Sequence, residues 1–206
     1  MDQREAAEQL QTIRTLMERA ALYRRALGPT LVGIGLLGLV AGAVGYLWVR
    51  TTTGPEPFVL FWCAVAGLAV GWTAIQVRGQ ALRAGEPFWT PPTRRVLAAM
   101  TPPHAVALLL TLIFCVESLP ILPVVFAVLW MLLYGLGLHA AGHFTLRGFR
   151  ILGWGFIVFG LALTALISPL GLQDTARVHL AMGITFGLGH LAAGGWVLAA
   201  ERKKVE

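Results

Sequence analysis

Charge is what this sequence has least of. Its 206 residues hold ten acidic and 16 basic side chains, 13% charged in all, where a soluble domain carries about 25%. With 57% of residues hydrophobic, a soluble core of this chain length could not hide the apolar surface, so lipid must solvate most of it. Cysteine is nearly missing. Cys63 and Cys115 both fall in apolar runs and no CxxC occurs, which points to two small buried hydrophobes rather than a zinc site or redox pair. The P-loop, the GxSxG elbow, HExxH and the CxxCH haem attachment are missing too. The expectation is a non-enzymatic protein without cofactor or resident metal. The net charge of +6 would raise nucleic-acid binding in a soluble protein. Here it reads as the positive-inside bias of membrane proteins, so lipid and not nucleic acid is the expected partner.

Long uncharged runs are what the chain has in place of these features. Residues 27–49, LGPTLVGIGLLGLVAGAVGYLWV, are 23 residues without a charge. At roughly 1.5 Å per helical residue this run crosses the ~30 Å apolar layer of a bilayer with some tilt. Five further spans are predicted over 58–77, 96–116, 121–139, 151–167 and 178–200. The fold class is therefore all-α: a polytopic membrane protein of six transmembrane helices arranged as three hairpins. Three segments are expected: an amphipathic helix over 1–26, a six-helix bundle over 27–200 and a basic tail over 201–206. The charged character of the first 25 residues argues against a cleavable signal peptide and makes the first span its own targeting signal.

The amphipathic helix is read from Ala6, Leu10, Ile13, Met17 and Ala20 at 3-4 spacing, with Asp2 and Glu5 in capping-box positions. Leu10, Ile13 and Met17 are candidate docking residues for a cytoplasmic protein partner or a second copy. Between the second and third spans lies Arg78–Arg95, the longest expected loop, where Pro87, Pro91 and Pro92 forbid a continuous helix. Its Phe88 and Trp89 suit an interfacial anchor or docking patch. Pro102-Pro103 is expected to kink the third span or to mark its true start. With the N-terminus inside, 14 of 16 Lys and Arg fall on the cytoplasmic side and only Arg50 and Arg177 outside, which places both termini in the cytoplasm of a cell with this protein in its inner (plasma) membrane.

Histidine is the residue class most suited to chemistry. His139 and His143 are four apart, metal-compatible spacing on one helix face. His104 lies near the same side. His190 sits deepest, in the middle of the last span, where an ionisable group usually faces the bundle interior or a water cavity. His190 with His104 could bind haem iron or a metal, and with Glu117 from the outer end could form a proton path. His190 could equally be neutral, bonded to a backbone carbonyl or to Thr164, and Glu117 could be a solvated turn residue. Three GxxxG pairs, Gly38–Gly42, Gly67–Gly71 and Gly183–Gly187, permit close helix approach within the bundle.

An internal repeat is also legible. LGPTLVGIGL (27–36) is similar to LGWGFIVFGL (152–161), and their partner spans share Gly71-Trp72 and Gly195-Trp196. The last hairpin, FRILGWGFIVFGLALTALISPLG followed by HLAMGITFGLGHLAAGGWVLA, resembles the hairpin units of HdeD-like bacterial membrane proteins. That resemblance implies a small six-helix inner-membrane protein linked to acid stress. The whole chain resembles uncharacterised six-helix bacterial proteins that begin with an amphipathic helix and carry a Gly-Glu-Pro-aromatic loop, here Gly85-Glu86-Pro87-Phe88-Trp89. Neither family supplies a catalytic motif. The functional expectation is a structural or stress-related inner-membrane protein, or the membrane partner of a cytoplasmic protein. The alternatives are a small transporter or proton/ion pathway centred on His190, then a haem- or metal-binding redox protein.

Overall fold

The structure is a computed structural model and describes residues 27–48, 56–85, 87–117 and 122–202. The expected amphipathic helix with Leu10, Ile13 and Met17, together with Arg50, Glu86 and residues 203–206, lies outside the described residues. Six helices follow in order: α1 (Leu27–Trp48), α2 (Glu56–Arg83), α3 (Pro91–Val116), α4 (Pro123–Ala141), α5 (Arg147–Ala165) and α6 (Thr175–Arg202). Each is long and apolar enough to cross a membrane, and no strand occurs among the described residues.

The connection between α2 and α3 is shorter than the sequence implied. No proline stands between Val77 and Gly85, and α2 runs on through Gly79 to Arg83. It stops at Gly85, whose φ of 65° is left-handed, the usual glycine helix terminator. Pro91 and Pro92 do not break α3; they begin it, in the first positions where a missing N–H costs nothing. Thr90 caps this start, its hydroxyl accepting from the Thr93 N–H. The same helix carries Pro102 and Pro103 in its interior without ending there. That tolerance is common where lipid leaves the backbone no alternative partner. Asp174 caps α6, its carboxylate accepting from the Ala176 N–H at 3.0 Å. Arg177 reaches back to the Leu170 carbonyl at 3.0 Å and closes the α5–α6 turn over Gly171.

Helix α4 is the hub. It packs most extensively against α5, then α3, and touches α6 and α2. Its buried residues Val124, Phe126, Ala127, Met131 and Leu138 form the core with Phe58, Trp62, Phe156, Leu163, Val178 and Met182. Most of the remaining apolar surface faces outward, α3 being the least enclosed helix.

Glycine decides which helices approach closest. Helix α1 runs antiparallel to α6 over its whole length: Gly28 lies against Leu198, Gly35 against Leu191, Gly38 against Gly187, Gly42 against Gly183 and Gly45 against His179. A Cβ on Gly42 would stand 2.6 Å from the Gly183 Cα, and one on Gly38 3.0 Å from the Gly187 nitrogen. Two of the three GxxxG pairs therefore face each other, whereas Gly67 and Gly71 of the third face open space. Gly33, Gly35 and Gly38 spell GxGxxG, but they sit inside α1, more than a turn after Leu27, and serve helix packing. Gly135 and Gly153 bring α4 and α5 equally close, a Cβ on Gly153 falling 2.6 Å from the His139 nitrogen. The tightest pairings, α1–α6 and α4–α5, thus join helices from different sequence hairpins. The shared Gly-Trp pairs also seat differently. Trp72 lies on Gly33 of α1, but Trp196 lies on Gly148 of α5 and not near Val158, its partner under a strict repeat.

Candidate functional site

The polar groups inside the bundle are few. Among the described residues the buried polar side chains are Thr30, Thr90, Thr111, His179 and His190. The two histidines lie on α6 eleven residues apart. That is three helical turns, so they share one face.

His190 is fully buried, and both ring nitrogens are engaged. Nδ1 is 2.7 Å from the Phe186 carbonyl, which can only accept, so Nδ1 carries the proton. Nε2 is 2.6 Å from the Tyr134 hydroxyl on α4, which donates to it in the uncharged ring. Phe156, Phe186 and Tyr134 surround the imidazole with centroids 5.5, 6.2 and 5.6 Å away. This pair ties α6 to the central α4. Thr164 does not take part: it is exposed, and its hydroxyl bonds the Leu161 carbonyl of its own helix.

His104 approaches the same centre without touching His190. Its Nδ1 bonds the Met100 carbonyl at 2.8 Å, and its ring meets Tyr134 edge-on at 5.6 Å. Tyr134 thus stands between the exposed His104 and the buried His190. Glu117, the outer member of the expected proton path, is exposed at the far end of α3, where its backbone N–H caps the helix.

His179 carries a signal the sequence reading missed. It is fully buried between Gly45 of α1 and the aromatic start of α2. The Trp62 indole N–H, which can only donate, bonds Nδ1 at 3.0 Å. The proton of the neutral ring is then on Nε2, which is buried without a partner. Phe58 and Phe61 stand edge-on to the ring at 4.8 and 5.3 Å. Its eleven-residue spacing from His190 was the clue, together with Gly183 and Gly187 on the intervening turns.

His139 and His143 do not share a helix, because α4 ends at Ala141. The turn that follows still brings their rings to 5.3 Å at a right angle, and Trp154 of α5 meets His139 at 5.6 Å. No three His, Cys, Asp or Glu side chains converge among the described residues. Phe88 and Trp89 are exposed in the α2–α3 connection, as an anchor or docking patch requires. Cys63 is half-buried, but Cys115 is exposed on the bundle surface, a correction to its expected burial.

Comparison of the chain with protein-family models, with curated proteins and with solved structures returns no match.

Proposed function

We propose that this chain is a non-enzymatic multi-pass membrane protein of a bacterial inner membrane, serving as a structural or stress-related component or as the membrane partner of a cytoplasmic protein. One observation carries the reading: of the buried polar side chains described, His179, His190 and Thr111 each bond a side chain of another helix. His190 joins α6 to α4, Trp62 joins α2 to α6, and the Trp130 indole joins α4 to Thr111 of α3 at 2.9 Å. No Asp, Glu, Lys or Arg is fully buried among the described residues. A transport pathway through lipid normally needs such groups along its route.

The charge distribution supports both termini lying in the cytoplasm. Among the described residues, Arg78, Arg83, Arg94, Arg95, Arg147, Arg150 and Arg202 gather at one end of the bundle, and only Arg177 stands at the other. Contact with a cytoplasmic partner would then fall on residues 1–26 and on Phe88 and Trp89. Deleting residues 1–25 should remove whatever protein co-purifies with the full chain, and an unchanged set of co-purifying proteins removes docking from the reading. The three-hairpin arrangement and the HdeD-like ancestry belong to the same proposal.

A second reading rests on the chain of rings from exposed His104 through Tyr134 to buried His190. In that reading the protein is a small proton or ion pathway. His190→Ala should then abolish a pH-dependent flux in proteoliposomes while leaving a folded protein, and a flux that persists discards it.

A further inference from the structure

The turn from α4 into α5 collects positive charge that no ion pair among the described residues neutralises. Between Pro123 and Gln173 there is no acidic residue. Within that stretch His143 and Arg147 are exposed and Arg150 is half-buried. The Arg150 stem lies over Gly142, where a Cβ would come 2.5 Å from its Cγ. That contact fixes the base of the Arg150 side chain against the last turn of α4, one residue before His143. Neither arginine makes an ion pair or hydrogen bond among the described residues. His139, one turn deeper, buries Nδ1 without a partner. Two arginines at the start of a helix also oppose its dipole, which favours negative charge there. The histidine pair by itself would suit a divalent cation, but two unneutralised guanidinium groups repel one and attract an anion.

The surface continues from this rim into the apolar layer. On α5, Arg147, Ile151, Trp154 and Val158 follow at helical spacing and are all exposed. On α4, exposed Leu136 lies one turn from His139. His139 and Trp154 join the two stripes where their rings meet. The face is basic at the rim and apolar below it, the polarity of one phospholipid standing in a leaflet.

We propose that the α4–α5 elbow binds an anionic phospholipid, its phosphate held by Arg147, Arg150 and His143 and an acyl chain lying along Leu136, Trp154 and Val158. The close α4–α5 packing through Gly135 and Gly153 keeps both stripes in fixed register, so the rim is preformed. Loss of this lipid would leave membrane insertion untouched, so the proposal and the membrane reading fail separately.

The test uses the full-length protein in a neutral detergent, with bound lipid read by native mass spectrometry and by thermal melting. Added phosphatidylglycerol should be retained and should raise the melting temperature, whereas phosphatidylcholine should do neither. The double variant R147Q/R150Q should retain phosphatidylglycerol roughly thirtyfold less, from two surface arginines at ~1 kcal/mol each. R94Q/R95Q, at the same end of the bundle, should retain it normally. Should R147Q/R150Q fail to fold, salt on the unaltered protein decides: 0.5 M NaCl, roughly a 4–5 Å screening length, should release most of the phosphatidylglycerol. Equal retention of the two lipids, equal loss in R94Q/R95Q, or salt-insensitive retention overturns the proposal. A melting shift reproduced by inorganic phosphate alone overturns it in favour of a free-anion site.

Discussion

The α1–α6 seam and the outer face of α2 carry the same motif and meet different surroundings. In the seam, Gly38 and Gly42 abut Gly187 and Gly183, and the missing side chains let two backbones touch. On α2, Gly67, Gly71 and Gly79 repeat every four or eight residues and have nothing within 4 Å of where a Cβ would be. Close packing is therefore not a property of GxxxG. It comes from two such surfaces being brought face to face by the rest of the fold. Where only one is present, the motif is a smooth strip of helix exposed to lipid.

The largest expected effect breaks the seam. Gly183→Val would push two methyl groups into the Gly42 backbone, which has no rotamer to yield, so the helices must part. A loss of about 3 kcal/mol or more is expected, read as a collapse of the monodisperse, heat-stable fraction in detergent. The matching change on the open strip, Gly67→Val, should shift stability by no more than about 0.5 kcal/mol in the same assay. A large loss there would mean that the α2 strip is covered.

The two buried histidines sharpen the comparison at the level of single bonds. Tyr134→Phe leaves His190 Nε2 unpaired and should cost about 1 kcal/mol. A cycle with His190→Leu should show a coupling near 1 kcal/mol. The outer pair should behave differently because one member is already unsatisfied. His179→Phe removes a buried unpartnered N–H but orphans the Trp62 indole, so the single change should be close to neutral. The double variant W62F/H179F, which removes both groups, should be neutral or stabilising by about 1 kcal/mol. Thermal melts of the four proteins decide it. A strong loss in the double variant would show that His179 Nε2 has a partner in the membrane.

Much of this architecture was legible beforehand. Six charge-poor runs of helical length admit little but membrane helices, and the structure has six in those places. The boundaries were less legible, for a local reason. Pro91 and Pro92 were read as breakers, yet the same ring is a good helix starter when a Thr90 cap stands before it. His190 was legible as the deep polar group because its depth follows from counting along the span. Its partner was not, because Tyr134 is 56 residues away and reaches it only through the α4–α6 contact. His179 escaped attention because it stands near the helix end, where a histidine looks solvated. Its burial comes from Gly45 of α1 and from Phe58, Phe61 and Trp62 of α2.

The division between sequence and tertiary structure follows the range of the forces. The sequence by itself determined that lipid is the solvent, how many helices cross it and at which end the arginines gather. Those properties depend on the transfer free energy of contiguous segments, which adds along the chain. Which helices touch was decided by the tertiary structure alone. Inside a bilayer no hydrophobic force distinguishes one apolar partner from another. The choice falls to shape and to a few hydrogen bonds between residues far apart in the chain. Gly42 against Gly183 and Tyr134 against His190 are such matches, and neither exists until the bundle has closed.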